Sequence, residues 1–501
     1  MDSQLDPTSA LPRRRLTYDE LCAIVVELRA TIAVQAERIR RLEEENALLK
    51  KKLYGKRSEQ GDKQGGTSGG GGKRGGSTTH RKRSLQEQYP DAEVETQTKH
   101  PKTTPLCQCC HKAMVTSGLE EVTEQLHTVP AKHKIIRIIR PKYKCNKCYA
   151  GLVNAPAGPR IAPGSSMGDA FIIEAVLAKF YYLIPAERYA DMISLSGLKG
   201  FPPQMVLSAH HSLADFLKPV YIKLREMIQV AHLLHADETP HRMFEMLRTT
   251  WYMWGFSIPD ACYFEIKPTR SGDIAIDFLK QSNCVYLMSD VYVGYIRAIR
   301  LVNIRRIAAG LPEIIALYCN AHARRRFSEA KISYPDEAQY FIDQYEKIYK
   351  LDAELKVITD PQSRFEKRAE MRPYFECMLA RSEDLKPAYS TKSSLVSAID
   401  YFTNNYAGLT YFLRNPDLPI DNNVAERMLR SPVIGRKTWY GTHSERGAET
   451  TEILFSIMQT CKLVKVNPRE YLHAVAQSML SGQGPFTPSE YVASFHYKKA
   501  A

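Results

Sequence analysis

The 501-residue sequence lacks any apolar run close to the ~18 residues that a membrane-spanning helix needs. Its stretch LCAIVVELRATIAV is interrupted by Glu27 and Arg29. The opening residues, MDSQLDPTSALPRRR, lack the basic-then-apolar order of a signal peptide. These absences disfavour membrane-bound and secreted classes of protein.

Acidic residues are in short supply. The sequence has 55 Asp and Glu residues and 69 Lys and Arg residues, so the formal net charge is +14 and the pI is near 9.1. An excess of this sign indicates nucleic acid as a partner. The length exceeds what one hydrophobic core usually covers, so we expect several domains. Without a secretory signal, the 11 cysteines indicate thiols and a metal site rather than a disulfide framework.

Residues 1–54 have the pattern of a coiled-coil dimerisation helix. Thr17-x-x-Glu20 forms a capping box, which predicts a helix start. Two apolar rows then run at heptad spacing, which favours a parallel two-stranded coil and self-association. An amphipathic helix packed on its own protein is the alternative. The rows are Tyr18, Val25, Ile32, Ile39, Asn46 and Leu53 at the a positions, and Leu21, Leu28, Gln35, Leu42 and Leu49 at the d positions.

The composition of residues 55–100 predicts a flexible basic Gly-rich linker. A zinc-binding domain is expected over residues 101–152. The second range contains two C-x2-C knuckles, a spacing that places adjacent thiolates at two corners of a tetrahedron. We expect a structural Zn²⁺ there, because four thiolates leave no open position for catalysis. Whether Cys109 or His111 also takes part stays open. The predicted ligands are Cys107, Cys110, Cys145 and Cys148.

Residues 153–228 are helical in pattern and predict a helix-turn-helix DNA-binding region. Helices are expected over AFIIEAVLAKFYYL, ERYADMISLSG and QMVLSAHHSLADFL, with a turn between Gly197 and Gly200. A small helical domain without a DNA role fits the same pattern. The basic charge and the neighbouring knuckles favour the DNA-binding interpretation.

Two aspartates end apolar strands in the next range, 229–334. Asp237 follows LLHA, where Thr239 and Pro240 are expected to end the strand, and Asp290 closes the run NCVYLMSD. The strands TTWYMWGFS, ACYFEIK and EIIALYCN and the helices SGDIAIDFLKQ and YIRAIRLVNIRRIAAG complete the range. Three strands, helix, strand, helix and strand is the ribonuclease H-like order, in which the first and fourth strands are neighbours. This order predicts that Asp237 lies near Asp290, while Glu238 points to the opposite face.

A third carboxylate, Glu426, lies within DNNVAERMLR. The charged helical residues 335–412 carry no chemical motif and predict an insertion, after which residues 413–446 complete the catalytic core and 447–501 form a C-terminal helical region. Asp421 is expected to cap the Glu426 helix. Two strand-end aspartates and a helical glutamate form an arrangement that holds two divalent metal ions for phosphoryl transfer on nucleic acid.

Cations accompany these carboxylates in the sequence. His322, Arg324 and Arg325 follow the fifth strand and are candidates to orient a scissile phosphate, although an ordinary basic helix end explains them equally well. Others share the Glu426 helix and are expected to crowd around its carboxylate. The further candidate phosphate- and DNA-binding residues are Asn422, Arg427, Arg430, Arg436 and Lys437.

The motifs HADETP, SDVYVGY, CNAHARRRF, DNNVAERMLR, GRKTWYG and TCKLVKVNPREYL occur in this order. Together with LYGKRSE and the two knuckles, they resemble the large transposase of the insertion-sequence-66 family over nearly the whole chain. The resemblance implies a bacterial, cytoplasmic and nucleoid-associated DDE transposase that acts on element ends and target DNA. It also implies two small companion proteins as partners. Val291 departs from the pattern, since a glycine is expected after the second aspartate.

The resemblance assigns the catalytic triad to Asp237, Asp290 and Glu426, holding two Mg²⁺ ions about 4 Å apart. The expected fold is multidomain α+β and α/β. It has a coiled coil, zinc-binding and helical DNA-binding domains, and a ribonuclease H-like catalytic domain split by a helical insertion. Two alternatives remain: a catalytically inactive or companion-dependent DNA-binding regulator, and a metal-dependent nuclease that cuts without joining. A tyrosine recombinase is disfavoured because no Arg-His-Arg-Tyr constellation is evident.

Overall fold

The computed structural model describes residues 17–54, 132–144, 152–154 and 156–500, with isolated positions between 84 and 125. The chain divides into two compact units, one of residues 1–56, 138–195 and 200–501 and the other of residues 57–137 with 196–199. Most of the predicted linker, residues 55–100, and all four predicted zinc ligands lie outside the described residues. These ligands are Cys107, Cys110, Cys145 and Cys148.

Helix α1 (Tyr18–Tyr54) begins at the predicted capping box. The Thr17 N–H donates to Glu20 Oε2 (2.8 Å), and the Glu20 N–H donates to Thr17 Oγ1 (3.3 Å). Apolar side chains of the predicted seam are between 46% and 64% exposed, so a partner helix could cover them. The coiled coil itself stays a prediction. These side chains are Val25, Leu28, Ile32, Ile39 and Leu42.

A short antiparallel ribbon of β1 (Lys142–Lys144) and β2 (Leu152–Asn154) precedes three helices. The helices are α2 (Asp169–Phe180), α3 (Ala186–Leu195) and α4 (Pro203–Gln229). Within the described ranges, none of the helices combines the length and the hydropathy that crossing a bilayer requires.

Helix α4 is longer than predicted, since it continues beyond Leu217 to Gln229. Asp215 and Pro219 both lie on its exposed side, where water can satisfy the carbonyl that proline leaves unpaired. Its apolar spacing also continues past the proline, so Val220 and Leu224 are fully buried. The predicted end was therefore wrong, and the helix belongs to the packed core.

A five-stranded mixed sheet forms the centre of the larger unit, in the order β5–β4–β3–β6–β7. Strands β3, β4 and β5 form an antiparallel meander, β6 is parallel to β3, and β7 is parallel to β6. This is the strand order that the element sequence predicted. The strands are β3 (Leu233–Arg242), β4 (Thr250–Ile258), β5 (Ala261–Lys267), β6 (Tyr286–Ser289) and β7 (Ile315–Tyr318).

Helices cover both faces of this sheet, and β4 is buried from Met253 to Ile258. On one face, Phe256 stacks on Phe278 of α5 (Asp273–Leu279), with ring centroids 3.9 Å apart, and α6 (Val293–Ala308) packs beside it. The other face packs against α13 (Asn423–Trp439), whereas α4 and α14 (Glu445–Leu463) pack against the edge strand β5. The chain ends with α15 (Pro468–Leu480) and α16 (Pro488–Ala500).

Helix α14 closes the free edge of the sheet with side chains. The N–H groups of Cys262, Phe264 and Ile266 on β5 donate to one helix face. Their acceptors are Thr460 Oγ1 (3.1 Å), Ser456 Oγ (2.9 Å) and Glu452 Oε1 (2.5 Å). An edge strand would otherwise offer these donors to another chain, so the contact prevents edge-to-edge association.

The segment between β7 and α13 is helical, as predicted. Its core contains Phe327 and Phe341, which stack with ring centroids 4.2 Å apart. The helices are α7 (Asn320–Ala330), α8 (Pro335–Leu355), α9 (Pro361–Ala369), α10 (Arg372–Leu385), α11 (Ser394–Asn404) and α12 (Tyr406–Thr410), with 3-10 turns at Lys386–Ala388 and Tyr411–Arg414.

Two buried polar side chains fix the chain that leads into α13. Arg368 pairs with Asp352 (2.9 Å) and donates to the carbonyls of Pro416 and Leu418 (both 2.9 Å). Asn320 Nδ2 donates to Leu409 O (2.9 Å) and Ile420 O (3.1 Å). Hydrogen bonds from buried polar side chains favour one arrangement, so these contacts hold the segment that leads into α13 in place.

Candidate active site

Asp237 lies within β3 rather than at its end. The parallel pairing with β6 stops at His235, whereas the antiparallel pairing with β4 continues to Arg242. Pro240 is tolerated because one edge of β3 is already unpaired there, and its missing N–H is not needed. The predicted strand end at Thr239-Pro240 was therefore wrong. Asp290 follows the last residue of β6, so both aspartates lie where the parallel pairing ends.

The register of the sheet turns Asp237 toward α13. Asp237 pairs with Gly255 of β4, and a Cβ atom at Gly255 would lie only 2.5 Å from Met428 Cε of α13. The glycine therefore lets the helix pack closely on the sheet beside Asp237. Glu426 lies on the same helix, two residues before Met428, and its side chain is 25% exposed.

The three carboxylates are close enough that their charges interact. Burial raises the pKa of Asp237 well above its usual range, and the negative charges of Glu238, Asp290 and Glu426 raise it further. Burial also raises the pKa of Asp290, which His322 partly offsets. Oxygen ligands that repel one another in a half-buried site are suited to a hard divalent cation. The residues present therefore fit a Mg²⁺ site.

The cations nearest to Glu426 come from α7 and not from its own helix. His322 Nδ1 lies 3.6 Å from Glu426 Oε1, and Arg325 Nη2 lies 4.0 Å from Oε2. Arg324 is turned away, since it pairs with Glu346 of α8 (3.4 Å). The structure thus brings two of the three α7 candidates to the carboxylate.

The candidates on α13 are placed differently from the prediction that they crowd around Glu426. Arg427 Nε donates to Asn423 O (3.1 Å), Arg436 donates to Thr239 Oγ1 of β3 (3.4 Å), and Arg430 and Lys437 are exposed. A helix spreads consecutive residues around its axis, so only some of them can face one carboxylate. Arg436 thus lies beside β3, two residues from Asp237.

Asn422 ties α13 to β3. It is 1% exposed, its Nδ2 donates to Ala236 O (2.8 Å), and His235 Nδ1 donates to its Oδ1 (2.9 Å). Burial lowers the pKa of His235 to about 4, so this histidine is neutral at pH 7. Asn422 is the N-cap residue of α13 in place of the predicted Asp421, which instead accepts from the Asn423 N–H (3.1 Å). Its position is that of a tether rather than the predicted DNA contact.

A buried network beside Asp237 was missed by the sequence analysis. Glu238 faces α6, opposite to Asp237, and its side chain is 1% exposed. Arg270 donates two hydrogen bonds to its Oε1 (2.9 and 2.6 Å), and Tyr295 donates to Oε2 (2.7 Å). The motif SDVYVGY contains Tyr295, but no local pattern pairs it with Glu238.

The same network reaches Asp290. Arg270 lies 4.1 Å above the Tyr292 ring, and the Tyr292 hydroxyl donates to Arg270 O (2.6 Å). The Tyr292 N–H donates to Asp290 Oδ1 (3.1 Å). Through these contacts β3, the loop before α5 and the start of α6 hold the two aspartates in a common frame.

The chain is similar to known proteins over most of its length. The family model described as "Transposase IS66 family" matches residues 164–450, and the model described as "zinc-finger binding domain of transposase IS66" matches residues 105–149. The uncharacterized protein y4jD of Sinorhizobium fredii is 27% identical over 405 residues, which cover 78% of each chain. The uncharacterized protein y4hP of the same organism is 25% identical over 417 residues, covering 78% of this chain and 73% of its own.

Proposed function

The chain belongs to the IS66 family of transposases, and we propose that it cleaves the DNA ends of an insertion sequence and joins them to target DNA. The observation that supports this proposal is that Asp290 and Glu426 lie near enough to Asp237 for their charges to raise its pKa. We interpret the sheet that carries the two aspartates as ribonuclease H-like, with the helical segment as its insertion.

The reaction would proceed by two displacements at phosphorus without a covalent protein intermediate. In the first, a water oxygen bonds to the phosphorus and the bond to the 3′ oxygen breaks, which leaves a 3′-OH. In the second, that hydroxyl bonds to a target phosphorus and displaces another 3′ oxygen. Mg²⁺ held by the three carboxylates would lower the pKa of the attacking hydroxyl and stabilise the leaving oxygen.

The surrounding cations would hold the substrate. His322 and Arg325 lie beside Glu426 and would neutralise the scissile phosphate, while Arg436 lies beside β3. Arg430 and Lys437 are exposed and available to neighbouring phosphates. Asn422 and the Glu238 network would position the carboxylates rather than contact DNA.

The remaining parts would supply DNA binding and assembly. The zinc-finger match supports a structural Zn²⁺, for which Cys107, Cys110, Cys145 and Cys148 are our proposed ligands. We assign DNA contacts to helices α2–α4 and self-association to α1. The net charge of +14 favours binding to the DNA backbone.

Glu426→Gln tests the chemistry, because it keeps the size of the side chain and removes its charge. Wild type should nick labelled element-end DNA with Mg²⁺ and not with EDTA. The variant should bind the DNA and leave it uncut. Glu329→Gln, an equal loss of charge at an exposed position of α7, should cut like wild type.

Two other outcomes would contradict the proposal. If wild type binds and does not cut, even with the two companion proteins added, the chain is a DNA-binding regulator. If it cuts but yields no joined product with target DNA in a strand-transfer assay, it is a nuclease.

A further inference from the structure

Three unlike metal-binding groups meet at the Glu426 end of the site. Cys319 Sγ, one ring nitrogen of His322 and one Glu426 oxygen all lie within 4.8 Å of one another. Among the described residues, these three side chains form the one group of three potential metal ligands whose donor atoms lie within this distance of one another. Cys319 is fully buried directly before α7, and His322 lies in the first turn of that helix.

The contacts of these atoms are unusual for an ordinary ion pair. His322 Nδ1 and Glu426 Oε1 face each other at 3.6 Å, which is longer than a hydrogen bond. Both atoms are buried, and no described residue supplies a hydrogen-bond partner for either. Two ligands of a tetrahedral zinc ion, each about 2.0–2.2 Å from the metal, would lie roughly 3.3–3.6 Å apart. The observed separation is that of two ligands of one ion.

The surroundings of the Cys319 sulfur are compatible with a metal ligand. The Asn422 N–H donates to Cys319 Sγ (3.2 Å), a contact that strengthens when the sulfur carries negative charge. The thiol lies at the N-cap of α7. Burial raises the pKa of Cys319 to about 12, so the thiol keeps its proton in the metal-free protein and would release it when a metal binds. A sulfur, a nitrogen and an oxygen ligand together favour a borderline transition metal over Mg²⁺.

We propose that Cys319, His322 and Glu426 form a site for a zinc-class transition-metal ion, separate from the zinc finger and sharing Glu426 with the catalytic triad. Three protein ligands leave a fourth position open to water or to a DNA phosphate. A further consequence rests on the proposed function. An ion in this site engages Glu426, so Zn²⁺ should inhibit Mg²⁺-dependent cleavage.

Metal content tests the site without reference to activity. The full-length protein is loaded with Zn²⁺, desalted and analysed for zinc per chain. Wild type should retain one equivalent more than Cys319→Ser and one more than His322→Gln. Cys284→Ser is the matched control, because Cys284 is equally buried and donates to a backbone carbonyl, and it should retain the wild-type amount.

Cobalt gives a second readout that a merely structural effect would not produce. The difference spectrum of the Co²⁺-loaded proteins, wild type minus Cys319→Ser, should contain a thiolate-to-cobalt charge-transfer band. Circular dichroism establishes that each variant is folded, and His322→Gln covers the case in which Cys319→Ser is not. Equal zinc content in wild type and both variants would overturn the proposal, as would an equal loss in Cys284→Ser.

The failure of this site and that of the proposed function are distinguishable. If wild type retains the extra zinc and never cuts DNA, the proposed metal site is supported and the proposed transposase activity is rejected. If wild type cuts with Mg²⁺ and Cys319→Ser retains as much zinc as wild type, the metal site falls alone.

Discussion

At the scale of single residues, the proposed active site brings carboxylates together against their mutual repulsion. Asp290 and Glu426 both repel Asp237, and Glu238 adds a fourth carboxylate on the opposite face of β3. Arg270 and Tyr295 neutralise and orient Glu238, whereas Asp237 accepts only the Glu238 N–H among the hydrogen bonds of the described residues (2.9 Å). The triad therefore stores repulsion that a bound cation would relieve.

Asp237→Asn should stabilise the metal-free protein while abolishing cleavage. The pKa of Asp237 is higher in the folded protein than in the unfolded chain. As pH rises above the ordinary pKa of an aspartate, ionisation of Asp237 therefore lowers the stability of the fold. Asparagine cannot ionise, so the variant does not lose this stability. We expect a gain of about 1 kcal/mol at pH 7.5 in EDTA, measured by thermal unfolding. Mg²⁺ should raise the midpoint of wild type and not that of the variant.

The control for this substitution is Asp273→Asn. Asp273 is exposed and paired with Arg297 (2.7 Å), so its replacement should not raise the unfolding temperature. A wild-type protein that is as stable as Asp237→Asn in EDTA would contradict the repulsion argument.

Tyr295→Phe should destabilise the protein through Glu238. The substitution leaves one oxygen of a buried carboxylate without its donor, at a cost of about 1–3 kcal/mol in the free energy of unfolding. Chemical denaturation measures the loss. Tyr440→Phe removes a hydroxyl from a side chain that is 70% exposed and should have no comparable effect. Equal stabilities of the two variants would exclude a role for the hydroxyl.

At the scale of elements, the contact between β5 and α14 covers the free edge of the sheet, and its contribution to the stability of the protein depends on pH. Burial raises the pKa of Glu452 to about 7, while the Ile266 N–H and Lys267 act in the opposite direction. The folded state therefore holds this proton more tightly than the unfolded chain. Stability from this group is complete below the ordinary pKa of 4.5 and is lost as pH rises to about 7.

Glu452→Gln should flatten that dependence. Glutamine keeps an oxygen that accepts from the Ile266 N–H and cannot ionise, so the variant should gain up to about 3 kcal/mol relative to wild type at pH 8. At pH 4.5 the two proteins should be nearly equal. Thermal unfolding at both values measures the difference, with the exposed Glu445→Gln on the same helix as the charge control. A gain that is the same at both values would contradict the assignment.

At the scale of the whole molecule, the proposed self-association rests on α1, whose apolar seam is about half exposed within the chain. Ile32 is 64% exposed on the seam, and Val34 is 70% exposed on the other side of α1. Both side chains are apolar and solvent-facing, but only the first belongs to the a row of the predicted heptads. The two positions therefore separate the effect of the seam from that of hydrophobicity.

Ile32→Glu should dissociate the oligomer, and Val34→Glu should not. A charge at an a position must be buried against the partner helix, whereas one at a c position stays in water. Light scattering after size-exclusion chromatography gives the mass of each species. If both variants keep the wild-type mass, or if wild type is monomeric, α1 is not a dimerisation helix.

Much of the fold followed from local patterns. The capping box before α1, the order of the strands and the helical segment before α13 are each encoded by neighbouring residues. The end of β3 was missed because Pro240 was expected to end the strand, and the predicted helix at α4 stopped at Leu217, before Pro219. A proline leaves a helix carbonyl or a strand position without its hydrogen-bond partner, and this is costly only where that position is buried. Whether it is buried depends on how the element packs.

The sequence by itself singled out the three carboxylates that we propose as the triad, the elements that carry them and the family to which the chain belongs. Tertiary structure decided their partners: His322 and Arg325 reach Glu426, Arg270 and Tyr295 reach Glu238, and Asn422 ties α13 to β3. Periodicity specifies which face of an element a residue occupies, but not which distant element packs against that face. The meeting of Cys319, His322 and Glu426 depends on such packing, because α7 and α13 are separated by the whole helical insertion.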